Sequence, residues 1–572
     1  MRHVILDTDF GDGARFLEAW AEWRADAGKG PLHYLAIAPH APAADALASS
    51  QLAAVWPSLV PGFHRIVLDE GRITLDLLIG ALDAMLPQIA ARVDEFYLPA
   101  SLDLSATVQP PPLLRALARL ARQGATLLAH APDEALVWAL TRVGFACSLV
   151  PGTQDLSAVF SGRRSHAAAS SASLSPMSSQ QRRAIVIGAG LAGSAACERL
   201  CAHGWDVTLI ERHEQPAQEA SGNLAGIFMP LLSKDDNIPT RLSRAAFLYA
   251  LRHWQQLGGV GTAFDGARCG VLQLARDTAH ARVQQDVIES GNYPSAYARW
   301  LDVEQASATL GSRTPHGGWL FEQGGWARPA SLCQTMLDAC GARLQRVFAA
   351  EALALERSGE EWLVRAADGA TIAQAPTVIL ANGTGARALA QSADLPLQAL
   401  RGQVTHLAAQ QAPNLPLVVC REAYVTPAAN GIVSAGATYD NDSDTGLRAD
   451  SQQENMTRLA EILGDAADLS ALAAAPLAGR VGFRCAAPDR LPLVGALPDY
   501  PSAGRLEHLH EVPRHPGLHG LLGYASRGLI WAPLMAELLV AQLEGAPLPL
   551  ESTLAAALDP GRFLLKQRRR SQ

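Results

Sequence analysis

Short apolar runs alternate with stretches of helical periodicity along the first 150 residues: HYLAIA (33–38), HRIVLD (64–69), VDEFYL (93–98) and GATLLAH (124–130). Strands separated by helices in this way predict an α/β fold with a parallel sheet. At the very start, ILDTDFGDGARFLEAW (5–20) reads as a strand, a glycine turn and a helix. A nucleotide-binding loop begins in that order, but Asp9 stands where a first glycine would help. The pattern then breaks. Residues 156–182, which include SHAAASSASLSPMSSQQ (165–181), are rich in Ser and Ala and poor in large apolar side chains, so they predict a flexible linker.

From 183 a second alternating segment starts and runs to about 560. It opens on RRAIVIGAGLAGSAACERLCAHGWDVTLIER (182–212), a strand, Gly188, Gly190 and Gly193 in G-x-G-x-x-G spacing, a helix, and a second strand ending in Glu211. Each part has a physical task. Gly188 permits the tight turn, Gly190 admits a pyrophosphate close to the backbone, and Gly193 lets helix and strand pack. The helix N-terminus offers free N–H groups and a positive dipole end to the phosphates. Glu211 stands 18 residues past Gly193, where a carboxylate accepts hydrogen bonds from a ribose with a free 2′-OH. This predicts FAD or NAD rather than NADP.

Three later segments favour FAD. Ser221, Gly222 and Asn223 in ASGN (220–223) are small residues where a chain must pass close to an isoalloxazine ring. Gly383 ends the strand-turn APTVILANGTGA (375–386). Gly523, Gly528 and Leu529 lie in a strand, glycine turn and long helix beginning GLLGYASRGLIW (520–531). The N-terminus of that helix would stabilise negative charge on a reduced flavin.

Composition narrows the class without changing it. A chain of 572 residues, 49% hydrophobic and 18% charged, predicts two or three globular domains. The net charge of -8 argues against a protein wrapped in nucleic acid but allows local basic patches. Arg163, Arg164, Arg182, Arg183 and Arg568–Arg570 are such candidates, as phosphate contacts or as solvated tails. The eight cysteines form no C-x-x-C pair and the sixteen histidines no H-x-x-H pair, so neither metal nor disulfide framework is expected. Isolated histidines such as His406 read as surface or hydrogen-bonded core residues. No apolar run reaches the roughly 20 residues of a membrane span. Asp7, Asp9 and Asp12 interrupt any signal-peptide core, and a cytoplasmic protein without membrane contact is expected.

With these motifs in place, residues 184–560 resemble the glycine oxidase and D-amino-acid oxidase superfamily of FAD enzymes. The resemblance rests on GAGLAG, ASGN, AYVTP (423–427), SAGATYD (434–440), GFRCAAPDRLPLVG (482–495) and GYASRGL (523–529). It implies an FAD-binding Rossmann domain with an inserted antiparallel-sheet substrate domain, and it implies that Tyr424 and Arg484 face the substrate. A guanidinium fork matches a carboxylate bidentately, which gives Arg484 a physical rationale beside its alternative as a structural ion pair. Arg527 touches flavin or substrate, or fixes the turn. Tyr439 reads as scaffold.

The whole chain is similar to a narrower family, the bifunctional tRNA 5-methylaminomethyl-2-thiouridine biosynthesis proteins. The C-terminal signs include LLSKDD (231–236), CGVLQL (269–274), EQGGWARPASL (322–332) and RGQVTH (401–406). The N-terminal ones are FGDGARFLEAW (10–20) and PGFHRIVLDEGRITLDLLIG (61–80). This resemblance implies a Rossmann-like methyltransferase-type domain over 1–155 using S-adenosylmethionine, the linker, a D-amino-acid-oxidase-type domain over 183–560, and a basic tail over 561–572. It implies FAD-dependent removal of the carboxymethyl group from 5-carboxymethylaminomethyl-(2-thio)uridine at the tRNA wobble position, with Arg484, Tyr424 and Arg527 in the catalytic site. The anticodon region of tRNA is the implied partner, dioxygen the electron acceptor, and a monomer the expected state. The methyl-transfer site reads as impaired: Asp9 and Asp12 bring carboxylates to the loop, while Ala38, Ala81 and Pro99 stand where the family carries acids. Rival readings are a free glycine or sarcosine-type amino-acid oxidase, and a tRNA-binding module with structural FAD.

Overall fold

The computed structural model describes residues 2–39, 52, 56, 58–99, 112–130, 132–162, 181–463 and 477–570. The chain divides into two compact units, one comprising 1–180 with 537–556 and the other 181–536 with 557–572.

The first unit is an eight-stranded sheet built from β1 (His3–Asp7), β2 (Leu32–Ala38), β3 (Gly62–Leu68), β4 (Ile73–Ile79), β5 (Val93–Leu98), β6 (Ala121–His130), β7 (Phe145–Leu149) and β8 (Asp155–Phe160). Its order is β3-β4-β2-β1-β5-β6-β8-β7. All seven residues of β2 are buried, as a central parallel strand covered on both faces requires. Helix α1 (Ala14–Ala25) presents Phe16, Trp20 and Trp23 at helical spacing to the core on one face of the sheet.

The expected all-parallel sheet holds only for the central strands. β3 runs antiparallel to β4, and β8 antiparallel to both β6 and β7. The reason lies in the short turn at Asp69, Glu70 and Gly71, whose φ values of 48°, 56° and 88° close a hairpin too tight for a crossover helix. The linker also begins later than its composition suggests. In β8 the side chains of Leu156, Ala158 and Phe160 point inward in strict alternation, so residues 156–160 belong to the sheet. Residues 163–180, with Arg163 and Arg164, lie outside the described residues.

Inside this unit Arg65 is buried with its charges matched. It donates to Asp76 Oδ1 and Oδ2 at 2.8 and 2.7 Å, to Glu537 Oε1 at 2.8 Å and to the Pro547 carbonyl at 2.7 Å. His33 Nε2 lies 2.7 Å from the second Asp76 oxygen.

The second unit carries β9 (Arg183–Ile187), α2 (Leu191–Ala202), β10 (Asp206–Ile210) and β11 (Thr377–Leu380), with β10, β9 and β11 adjacent and parallel. Strand Leu344–Val347 extends the sheet beyond β10, and Arg514–Leu522 with Leu493–Pro498 extend it beyond β11. A separate eight-stranded sheet contains β12 (Gln398–Ala408), β13 (Tyr424–Val425), β14 (Ile432–Gly436) and β15 (Ala478–Ala486), mutually antiparallel where they pair. Arg182 and Arg183 are part of this fold rather than a free basic cluster. Arg183 opens β9 and pairs with Glu361, and Arg182 donates to the His203 carbonyl at 3.2 Å.

Helix α3 spans Gly528–Glu544. The expected basic tail is instead a helix, α4 (Arg562–Arg570), because its apolar face has a partner: Leu564 is buried with Leu506 and Val512. Arg562 at its start holds Asp489 at 2.9 and 3.0 Å.

Candidate active site

The turn between β9 and α2 is tight for reasons visible atom by atom. Gly188 has φ +101°, and a Cβ there would lie 2.8 Å from the Asn382 Cα. A Cβ on Gly193 would lie 1.8 Å from the Gly188 carbonyl oxygen, so helix and strand touch only because that position is bare. Ser221 Oγ accepts from the Leu191 N–H at 3.1 Å, at the first turn of α2. Glu211 is buried, and its two oxygens accept from the Ala189 N–H at 2.7 Å and the His213 N–H at 3.0 Å. Each oxygen keeps a lone pair for a further donor.

These groups open on a cavity of about 640 Å³. Gly188, Gly190, Glu211, Ser221, Asn223, Gly383, Gly523, Gly528 and Leu529 line it, and so do Tyr424, Arg484 and Arg527. Gly193 and Gly222 do not. Gly193 acts from behind the loop. Gly222 makes room for Arg480, whose Nη2 would lie 2.3 Å from a Cβ at that position. Arg480 donates to the Gln218 and Glu219 carbonyls at 2.8 and 2.5 Å and to Asn223 Oδ1 at 3.2 Å, so it fixes the ASGN segment from β15. Nothing in the spacing of residues announced that role.

Arg484 is held without being paired. Its guanidinium lies across the Cα of Gly402 on the neighbouring strand β12, where a Cβ would come within 1.7 Å of Nη1. On its other side the Tyr439 ring lies with its centroid 4.5 Å from Cζ. Nη1 is buried and has no hydrogen-bond partner among the described residues. A buried guanidinium N–H left open in a cavity is a demand for an acceptor. Burial pushes the Tyr424 phenol up to about 12 against the opposing Arg484 charge, so it is a neutral donor at physiological pH. Burial also lowers the pKa of Arg527 and pushes the Cys420 thiol up to about 12. Tyr439, read from the sequence as scaffold, lines the cavity, 55% exposed, with its ring against Arg484. His406 is half-buried with its Nε2 unpartnered, and it stands outside the cavity.

A dinucleotide cofactor fits these residues, since a loop stripped of side chains, a buried carboxylate and a helix N-terminus converge on one large cavity. The loop of the first unit is different. Its turn forms, with Gly11 and Gly13 at φ +55° and +82°. However, Asp7, the one acid retained there, is buried and engaged by Arg15 Nη1 at 2.7 Å, Tyr34 Oη at 2.8 Å and the Asp9 N–H at 3.1 Å. Asp9 and Asp12 are exposed, Ala38 ends β2, and Pro99 follows β5. These residues do not fit the carboxylate and ribose of S-adenosylmethionine: the carboxylate would meet repulsion from Asp9 and Asp12, and the described ends of β2 and β5 offer no acid to the ribose or the target amine.

Residues 183–542 match the FAD dependent oxidoreductase family, and residues 44–164 match an S-adenosyl-L-methionine-dependent methyltransferase family. The chain is 43% identical over 601 residues to the tRNA 5-methylaminomethyl-2-thiouridine biosynthesis bifunctional protein MnmC of Burkholderia thailandensis, covering 100% of this chain and 91% of that one. It is 42% identical to the MnmC of Burkholderia pseudomallei, covering 98% and 90%. Among solved structures, glycine oxidase from Geobacillus kaustophilus superposes with TM-score 0.55 at 19% identity, over 66% of this chain and 99% of that one. Iminodiacetate oxidase from Chelativorans sp. BNC1 superposes with TM-score 0.51 at 24% identity, over 64% and 96%. These superpositions establish the fold of the second unit.

Proposed function

The chain belongs to the family of tRNA 5-methylaminomethyl-2-thiouridine biosynthesis bifunctional proteins, and on that premise we propose that its second unit is the tRNA wobble-uridine oxidase. It oxidises the glycine-like CH₂–N bond of a carboxymethylaminomethyl group, and hydrolysis then releases glyoxylate and leaves the aminomethyl base. When bound, FAD supplies the hydride acceptor for this oxidation. The loop at Gly188–Gly190, with Glu211, Ser221 and Asn223, would hold that cofactor. Dioxygen is the proposed electron acceptor.

The observation that carries the reading is the open Nη1 of Arg484, buried in the cavity between Gly402 and Tyr439. Such a group takes a carboxylate, and the arm of this substrate ends in one. Holding the carboxylate fixes the neighbouring CH₂, which converts an encounter into an oriented reaction. Tyr424, as a neutral phenol, donates a hydrogen bond to the substrate without adding charge. Arg527 keeps the cavity positive toward an anionic arm.

For the first unit we propose a retained fold without methyl transfer, because the residues at its loop do not fit S-adenosylmethionine. Incubating the protein with tRNA bearing the carboxymethylaminomethyl group, with and without S-adenosylmethionine, and weighing the digested nucleosides tests both halves. Loss of the carboxymethyl mass with no methyl gain is expected. A methyl gain overturns the reading of the first unit, and no change in either tube overturns that of the second.

A further inference from the structure

Tyr439 combines two properties that rarely meet. Its side chain is 55% exposed, yet the backbone on either side of it is locked. The Thr438 N–H donates to the Gln403 carbonyl at 3.2 Å, and the Gln403 N–H returns to Thr438 Oγ1 at 3.2 Å. Asp440 and Arg401 exchange both backbone hydrogen bonds, at 2.9 and 3.0 Å. The fully buried Arg401 side chain then donates to Asp440 Oδ2 at 3.1 Å and to the Asp444 and Gly446 carbonyls at 2.8 and 2.6 Å. Arg448 closes the same loop by gripping Asp442 and Asp444, each at 2.8 Å. An aromatic ring held out in this way loses little conformational entropy when something covers it. One ring face is already taken by Arg484.

We propose that the other face of Tyr439 is the stacking platform for the pyrimidine ring of the substrate nucleoside. This deepens the oxidase reading above and rests on it. Unstacked bases are recognised by stacking on aromatic side chains, and a planar ring at the rim of a cavity is the element such recognition needs. The base on one face and the guanidinium on the other would lie within reach of a CH₂–NH–CH₂–COO⁻ arm passing the ring edge. Tyr439 thereby selects a carboxylate that is attached to a base over the same carboxylate on a free amino acid.

The test uses full-length, FAD-loaded protein converting modified tRNA, with two competitors: 5-aminomethyluridine, which has the base and no carboxylate, and N-methylglycine, which has the carboxylate and no base. Tyr439→Ala is expected to weaken 5-aminomethyluridine roughly 10-fold or more, as the loss of one base–aromatic stack does. N-methylglycine inhibition weakens by a clearly smaller factor, since the ring also backs Arg484. Tyr439→Phe and Tyr439→Trp keep the unaltered affinity for both, since the ring and not the hydroxyl is at work. Equal weakening of both competitors in Tyr439→Ala would overturn the proposal, because the ring would then act only by holding Arg484. No competition by 5-aminomethyluridine in the unaltered protein, or no weakening in the variant, overturns it as well. In these outcomes tRNA conversion persists. Its absence from the unaltered protein would overturn the oxidase reading instead, and this proposal with it.

Discussion

Replacing Gly402 by alanine tests the carboxylate clamp without touching Arg484 itself. The added Cβ would stand 1.7 Å from Arg484 Nη1, 2.5 Å from Cζ and 2.7 Å from Nη2. These atoms are the end of a long, rotatable side chain, so the clash is relieved by moving the guanidinium and not by parting the strands. The fold is therefore expected to survive, and the cost falls on where the guanidinium sits. Tyr439 blocks retreat on the opposite side. A hydrogen bond to a charged group is worth about 1.5–3 kcal/mol, which is roughly a 10- to 150-fold change in binding. We expect the KM for carboxymethylaminomethyl tRNA to rise in that range, while flavin absorbance and thermal unfolding stay close to the unaltered protein. Steady-state kinetics on Gly402→Ala beside Arg484→Ala decides it. If Gly402→Ala keeps its KM within about twofold while Arg484→Ala loses the substrate, the guanidinium does not work from the position between Gly402 and Tyr439.

Glu211→Ala removes a carboxylate that accepts from the Ala189 N–H at 2.7 Å in the turn itself, and FAD retention on gel filtration should fall, with affinity weakened about 10-fold or more. Arg65→Met leaves Asp76 and Glu537 as buried charges without their partner, and denaturant unfolding of the first unit should show a loss of about 3–5 kcal/mol. His519 is partly buried with its Nδ1 shut off from solvent, and burial lowers its pKa from 6.5 to about 4. Because the folded form binds its proton more weakly, the unfolded chain takes up the proton first between these values. Its contribution of about 3 kcal/mol is therefore whole above pH 6.5 and lost as pH falls through about 4. In His519→Gln, the fall in thermal stability from pH 7 to pH 5 should be shallower than in the unaltered protein.

Local chemistry was readable where a residue acts on its own neighbourhood. VDEFYL became a strand over the same residues, and the glycine loop, Glu211 and the turn before α3 all reached one cavity. What stayed hidden acts across the fold. Gly402 clears space for a side chain on an adjacent strand, and Gly222 does so for Arg480, some 260 residues away in the chain. That Tyr439 lines the cavity stayed hidden because exposure has no signature in a local pattern of apolar and polar residues. The hairpin β3–β4 was missed for the opposite reason: three residues at positive φ reverse the chain where periodicity shows only two apolar runs.

The loop behind Tyr439 places Asp440, Asp442 and Asp444 at alternate positions, a spacing that elsewhere wraps a divalent cation. Here Arg401 and Arg448 stand in the cation's place, and no described cluster is suited to hold a metal. The electrolyte dependence of the loop follows from that substitution. Simple salt acts on the loop unevenly. At about 1 M the screening length shrinks to about 3 Å, which reaches the Arg448 pairs with their 40% and 48% exposed aspartates. Arg401, sealed from solvent, keeps its grip on the carbonyls of Asp444 and Gly446. The outer half of the loop thus loosens in brine while the residue next to the ring stays where it was.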